Sequence, residues 1–413
     1  VSFELASLWR PISGGLTAPF GFQAAGITAG LKESGKPDLA LLLAPEGAVC
    51  TGTFTTSLVR AACVDLCAER LRACAGKARS VLINSGQANA CTGDRGLLDS
   101  VRVTQALADR LELPVEQVLI CSTGVIGVPI PMDILLAGLD PLVEALSDEG
   151  GAEAAGAILT TDLVEKQFAL EAELGGRRVR IGGMAKGSGM IHPEMATMLG
   201  YLSCDAGVSV DAWQAMVKRV VDRSFNAITV DGDTSTNDSL LAFAAGEPLE
   251  LQYLEALEAG LMAVAQQLAK AIARDGEGAT CLLEVQVEGV GGDVEACCIA
   301  RTICGSSLVK TAVHGCDPNW GRIVAAAGRA GVPFDPAAVA LWLGPHQLME
   351  FGEPLPFDRL AASRYMQERV DGSYLSDDTV QIRLVVGNGS GDGMAWGCDL
   401  SDQYVRINAD YTT

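Results

Sequence analysis

Histidine is almost missing from this chain: 413 residues contain three, His192, His314 and His346. A hydroxyl nucleophile that depends on an imidazole partner therefore has little to draw on. Aromatic residues are also scarce, at 5%. There is no basic block, and the formal net charge is −21. A surface of that sign repels phosphate backbones, which argues against nucleic acid as a partner. No run of about 18 apolar residues is free of charge, so no membrane-spanning helix is expected. The first residues, Val1-Ser2-Phe3-Glu4, lack the basic-then-apolar pattern of a secretion signal and are read as carrying no leader.

Cysteine is plentiful, with 13 residues, but it lacks the spacing that metal centres use. No C-x-x-C pair occurs, Cys63 and Cys67 sit four apart in a helical pattern, and Cys297 and Cys298 are adjacent. An odd number scattered over so long a chain makes no disulfide framework. Buried reduced thiols in a reducing, cytoplasmic compartment are expected, and no metal.

What is present is an ordinary globular composition: 49% hydrophobic, 20% charged and 47 glycines. The length suffices for two domains and a large core. Apolar runs at 39–43, 81–83 and 117–121 read as buried strands. Thr55, Thr56 or Ser57 is the expected cap of a helix with Leu58, Ala62, Val64, Leu66 and Leu71 on one face. Helical patterns follow at 97–111, 131–146 and 150–159, and Gly175-Gly176 reads as a hairpin turn. Ser209 is the expected cap of a helix burying Trp213, Met216, Val217, Val220 and Val221. The longest helical pattern spans 251–273, with Gly276 as its stop. The texture changes near 280–300, which sets a main unit at 1–285 and a smaller α/β unit at 286–413. Gly387 to Gly393 lacks the spacing of a dinucleotide loop, and no helical pattern follows it, so no cofactor is expected there.

The chain is organised around Lys186-Gly187-Ser188-Gly189-Met190-Ile191-His192-Pro193-Glu194-Met195-Ala196-Thr197-Met198-Leu199, a glycine-loosened segment that runs into an apolar strand pattern at 198–204. A threonine opening a strand is usually structural, since β-branched residues suit strands. It becomes a nucleophile if the backbone parts between Ala196 and Thr197, because the new α-amine then serves as base for the hydroxyl of the same residue.

Several further words carry chemistry. Asn84-Ser85-Gly86-Gln87-Ala88-Asn89-Ala90 is a small polar turn after a strand. Ser122-Thr123-Gly124-Val125-Ile126-Gly127 sets a hydroxyl beside a glycine N–H, a pair that can aim two donors at one oxygen. Thr160-Thr161-Asp162 precedes a strand pattern. Asp231 to Asp238, D-G-D-T-S-T-N-D, holds three acidic groups without the order of a calcium loop and reads as a hydrogen-bonded cavity wall. Asp275-Gly276-Glu277-Gly278, Asp317-Pro318-Asn319-Trp320-Gly321-Arg322 and the last stretch, Tyr404-Val405-Arg406-Ile407-Asn408-Ala409-Asp410-Tyr411-Thr412-Thr413, complete the set. Each alone has a bland reading as a turn, a surface charge or a cap.

Together these words resemble the ornithine acetyltransferase family of arginine biosynthesis, also called the bifunctional glutamate N-acetyltransferases, over about residues 20–413. His192 and Glu194 depart from its usual residues before the cut. The resemblance implies a layered αββα-type α/β sandwich with a smaller C-terminal α/β domain. It implies self-cleavage between Ala196 and Thr197, giving chains 1–196 and 197–413 that assemble as a heterotetramer. It implies Thr197 as nucleophile, Thr123 and Gly124 as the oxyanion pair, and Thr160 or Thr161, Lys186, Glu277, Asn408 and Thr413 as substrate contacts. The implied reaction moves acetyl from N2-acetyl-L-ornithine to L-glutamate through an acetyl-threonine, with acetyl-CoA as a possible second donor and no cofactor. An aminopeptidase or amidase of the same self-cleaving fold, or a non-catalytic small-molecule binder, is the alternative.

Overall fold

Strand formation follows the short apolar runs, and a computed structural model places sixteen strands among its described residues, 7–192 and 198–410. Ala196, Thr197 and Thr413 lie outside the described residues. The first ten strands are β1 (Arg10–Ile12), β2 (Gln23–Ile27), β3 (Leu39–Leu43), β4 (Val49–Phe54), β5 (Ser80–Gln87), β6 (Val118–Val125), β7 (Lys166–Leu174), β8 (Arg177–Lys186), β9 (Leu199–Cys204) and β10 (Ser239–Ala244). They form a six-stranded sheet, β1-β7-β8-β9-β10-β4, and a four-stranded sheet, β2-β3-β5-β6. The strands from Leu282–Val290 onward form a third sheet of six, with its own core. The fold is thus mixed α/β on three sheets.

The first two sheets meet face to face. Leu42, Val81, Ile83 and Leu119 from one pack with Met184, Leu199, Tyr201 and Phe243 from the other. Their alternate neighbours, Leu41, Leu82 and Ile120, turn outward against α1 (Ala62–Ala73) and α2 (Gly93–Leu111). On the far side Ile181, Leu202 and Leu240 pack beneath α6 (Val210–Asp222) and α7 (Leu254–Arg274). Burial on both faces is why Leu39-Ala40-Leu41-Leu42-Leu43 is apolar throughout rather than alternating. Truncating a leucine here to alanine costs about 2–5 kcal/mol.

Several expected elements appear as read. Ser209 caps α6, accepting from the Ala212 amide at 3.4 Å, and Gly175-Gly176 turns β7 into β8. Others differ for local reasons. Helix α1 begins at Ala62, and Leu58 is 98% exposed. The chain before it is held by another loop: Thr55 Oγ1 donates to the Ser235 carbonyl at 2.8 Å, and the Ala61 amide to the Thr236 carbonyl at 2.8 Å. The 251–273 pattern divides into a tight turn at Leu251–Tyr253 and α7. Gly276 directly follows Asp275, the cap of α7, so the helix stops where expected, although without the left-handed φ of a glycine cap. The smallness of Gly276 answers crowding instead, since a Cβ there would lie 2.6 Å from Cys398 Sγ. Strands β5 and β6 run past their apolar cores to include Asn84–Gln87 and Ser122–Val125, because the two polar stretches pair in parallel register. Among the described residues no single helix is long and apolar enough to cross a membrane.

Candidate active site

Register aligns the ends of two strands in one sheet and of three in the other. Thr123 pairs with Ser85 and Gly124 with Gly86 at the ends of β6 and β5. Lys186 at the end of β8 pairs with Leu199 at the start of β9, and Leu199 pairs with Ser239 at the start of β10. A cavity of about 300 Å³ opens there, lined by Thr123, Gly124, Thr160, Thr161, Lys186, Glu277 and Asn408 among others. These residues are spread over 286 positions of sequence and were singled out from separate words. Ala196, Thr197 and Thr413 lie outside the described residues, so their place relative to the cavity is not part of this geometry.

The oxyanion candidates are rigidly built. Gly124 has φ +126°, and a Cβ there would lie 2.4 Å from the Gly86 carbonyl oxygen, so the strand pair closes only around a glycine. Behind it, Asn237 Nδ2 donates to the Ser122 carbonyl at 2.8 Å and to the Ala88 carbonyl at 2.5 Å. Ser122 Oγ donates to Asn84 Oδ1 at 2.7 Å. Asn237 therefore ties the Ala88 and Thr123 walls together. The sequence marked the 231–238 word only as a wall, and nothing in it distinguished Asn237 from its neighbours.

Lys186 is buried, with Nζ 3.3 Å from Thr123 Oγ1. Burial lowers the pKa of its ammonium, partly offset by the nearby Asp162 charge. Glu277 sits across the cavity. Its carboxylate lies against Gly189, where any Cβ would come within 2.7 Å of it, and accepts from Asn408 Nδ2 at 2.7 Å. Asn408 reaches it from α12 (Asp402–Asp410), the last described helix. Thr160 is oriented by its amide, which donates to Asp162 Oδ2 at 3.0 Å. The cavity thus sets a cation, an anion, a hydroxyl and a strained glycine around one small space. Such an arrangement can hold opposite charges at two ends of a small molecule and polarise an oxygen between them.

The acidic wall loop also grips the chain on both sides of the 193–197 stretch. Asp231 accepts the amides of Met190 at 2.5 Å and Ile191 at 3.0 Å. Asp238 Oδ1 accepts the Met198 amide at 2.8 Å. Burial raises both carboxyls, Asp238 well above the ordinary carboxylate range. His314 pairs through Nδ1 with Asp399 Oδ2 at 2.7 Å and does not line the cavity.

Comparison with known proteins agrees with the words found in the sequence. The family model described as the ArgJ family matches residues 23–413. The chain is 89% identical over 413 residues to the arginine biosynthesis bifunctional protein ArgJ of Prochlorococcus marinus strain MIT 9313, covering 100% of this chain and 97% of that protein. It is 72% identical over 409 residues to the protein of the same name from Parasynechococcus marenigrum strain WH8102, covering 99% and 98%. Among solved structures, an ArgJ protein of Bacillus halodurans is 40% identical, covering 52% of this chain and 100% of that one, with a TM-score of 0.49. Ornithine acetyltransferase from Mycobacterium tuberculosis, solved with ornithine, is 43% identical, covering 45% and 98%, with a TM-score of 0.42.

Proposed function

This chain belongs to the ArgJ family, and we propose that the cavity around Thr123, Lys186 and Glu277 is where its acetyl transfer takes place. The protein is a bifunctional acetyltransferase of arginine biosynthesis: it acts as a glutamate N-acetyltransferase and as an amino-acid N-acetyltransferase. Its substrates are read as N2-acetyl-L-ornithine and L-glutamate, with acetyl-CoA as the donor of the second activity.

The mechanism we derive needs no histidine. Cleavage between Ala196 and Thr197 frees an α-amine, which takes the proton from the Thr197 hydroxyl as its Oγ attacks the acetyl carbonyl. The oxyanion that forms accepts from the Thr123 hydroxyl and the Gly124 N–H. Collapse expels the α-amine of ornithine, which leaves with the proton, and an acetyl ester remains on Thr197. The α-amine of glutamate attacks that ester by the reverse sequence, so the cycle is ping-pong. Lys186 faces the substrate α-carboxylate, Glu277 the ornithine side-chain ammonium, and Thr160 or Thr161, Asn408 and Thr413 complete the substrate contacts.

We read the layering as the helix–sheet–sheet–helix arrangement of the self-cleaving acyltransferase fold, with a main unit and a smaller C-terminal one; the boundary expected at 285/286 falls within the strand Leu282–Val290 that opens the third sheet. Chains 1–196 and 197–413 remain associated and pair again into a heterotetramer in the cytoplasm, a compartment that suits thirteen free thiols.

The observation that carries this reading is that Thr123, Gly124, Lys186, Glu277 and Asn408, chosen from separate stretches of sequence, line one cavity. Its test is to incubate the protein with N2-acetylornithine alone and examine it by intact mass and peptide mapping. The expected result is a gain of one acetyl group on Thr197 of the 197–413 chain, lost on adding glutamate. Acetyl transfer that requires both substrates at once, with no acetylated protein at any time, overturns it.

A further inference from the structure

Behind the cavity wall lies a second lysine that the mechanism leaves unused. Lys166 opens β7, and its side chain is 0% exposed. Its ammonium donates to Asp162 Oδ1 at 2.7 Å, to Asp275 Oδ2 at 2.6 Å and to the Val164 carbonyl at 3.3 Å. An ammonium has three N–H groups. All three are spent on the protein, so Lys166 has none to offer a substrate. Lys186 differs in just this respect, since its contact with Thr123 leaves donors available at the cavity.

What Lys166 holds is informative. The Asp162 carboxylate takes the Thr160 amide at 3.0 Å and the Gly187 amide at 2.7 Å, thereby joining the Thr160-Thr161 loop to the residue after Lys186. The Asp275 carboxylate takes the Leu163 amide at 3.0 Å, and its carbonyl takes the Ser188 hydroxyl at 2.8 Å. The Glu277 amide in turn donates to the Ser188 carbonyl at 3.0 Å. Three segments that line the cavity are therefore tied through one buried ammonium. Without it, Asp162 and Asp275 would face each other as buried like charges, and the two loops they anchor would part.

We propose that Lys166 is a positioning residue that sets the span between the anion-binding side of the cavity at Lys186 and the cation-binding side at Glu277. A fixed span acts as a gauge of chain length, selecting a substrate whose carboxylate and side-chain ammonium are separated as in ornithine over one that is a methylene longer. The inference rests on the substrate roles given above to Lys186 and Glu277.

The test compares N2-acetylornithine with N2-acetyl-lysine as donor in wild type, Lys166→Met and Asp275→Asn, with rates normalised to folded, cleaved protein. A wild-type enzyme that transfers acetyl from neither donor refutes the function itself and is thereby told apart from a failure of the gauge. Loss of the bridge is expected to raise the KM for acetylornithine about tenfold in Lys166→Met and to lower the acetylornithine/acetyl-lysine ratio of kcat/KM by a similar factor. Acetyl-threonine formation at saturating donor should survive. Asp275→Asn keeps the shape and the Lys166–Asp162 pair and loosens only the Glu277 side, so a smaller shift in the same ratio, about threefold, is expected. It also serves if Lys166→Met fails to fold. A folded Asp275→Asn or Lys166→Met enzyme with the wild-type KM and donor ratio overturns the proposal, because a merely structural role would change the amount of folded protein and leave both untouched.

Discussion

The Lys186 ammonium lies 3.3 Å from the Thr123 hydroxyl oxygen, with both side chains buried at the cavity. An ammonium only donates, so the hydroxyl oxygen accepts and its own hydrogen is turned away from Lys186. That frees the Thr123 O–H to donate to another partner. On the proposed mechanism that proton is the one an oxyanion meets, and the contact with Lys186 makes the hydroxyl a stronger donor by polarising it.

Thr123→Ala removes that donor while leaving the Lys186 charge in place. The expected outcome is a fall in kcat of about 10²–10³, roughly 3 kcal/mol of transition-state stabilisation. The KM for either substrate should change little. Thr123→Ser should recover most of the rate, since it restores the hydroxyl. Steady-state kinetics with both donors checks this, and a Thr123→Ala enzyme of normal kcat would remove the residue from the mechanism.

Gly124→Ala tests the backbone half of the same pair. The added Cβ would meet the Gly86 carbonyl carbon at 2.3 Å, and the residue sits at φ +126°, so β5 and β6 must separate. Strain at such a position costs on the order of 1–3 kcal/mol, and the N–H is moved off target as well. A lower urea midpoint together with near-complete loss of acetyl-enzyme formation is expected. Retained acetylation at the wild-type rate would mean that Gly124 serves the fold alone.

How much of this was legible beforehand differs from residue to residue. Ser209 and its helix, the Gly175-Gly176 hairpin and the buried strands follow from local rules, because caps, turns and apolar runs act over a few residues. The cavity members were legible as words, and only through resemblance, since a Thr-Gly pair has no chemistry until a parallel partner strand fixes it. Lys166 was not singled out, and Asn237 and Asp275 stood inside words without being told apart from their neighbours. Their work is done by contacts 109 residues apart for Lys166–Asp275 and 149 for Asn237–Ala88, and a single sequence carries no mark of such pairs. Leu58 failed for the opposite reason: it fits a helical stripe, yet the 235–238 loop takes the backbone bonds that its helix would have needed.

Lys186 predicts a pH dependence. Burial disfavours its charged form and lowers its pKa, with Asp162 opposing. As pH rises, the ammonium is lost before an ordinary lysine would titrate, and with it the partner proposed for the substrate carboxylate. The donor kcat/KM should therefore fall on the alkaline side earlier than an ordinary lysine allows, chiefly through KM. For stability the sign is reversed. The unfolded chain binds more protons than the native state between the lowered pKa and the ordinary lysine value, so this group makes the fold more stable as pH rises through that window. Lys186→Met should flatten that part of the urea-midpoint profile while abolishing the KM effect.

Asp238 offers the sharpest separation of charge from hydrogen bonding. Its Oδ1 accepts the Met198 amide at 2.8 Å, while Oδ2 is buried with no hydrogen-bond partner among the described residues. Burial raises its pKa well above the ordinary range, with the Met198 amide and the Lys186 charge opposing. The native state therefore keeps this proton at pH values where the unfolded chain has lost it, and stability falls as pH rises through that window. Asp238→Asn retains an oxygen for the Met198 amide and carries no charge, so its stability relative to wild type should grow with pH. Asp238→Ala strands the amide and should cost about 1–3 kcal/mol at any pH. Because Met198 directly follows Thr197, both variants should be scored on gels for the cleavage proposed above, into 1–196 and 197–413. Slowed cleavage in Asp238→Ala but not in Asp238→Asn would assign the grip on Met198 to the hydrogen bond. Equal slowing in both would assign it to the carboxyl proton instead.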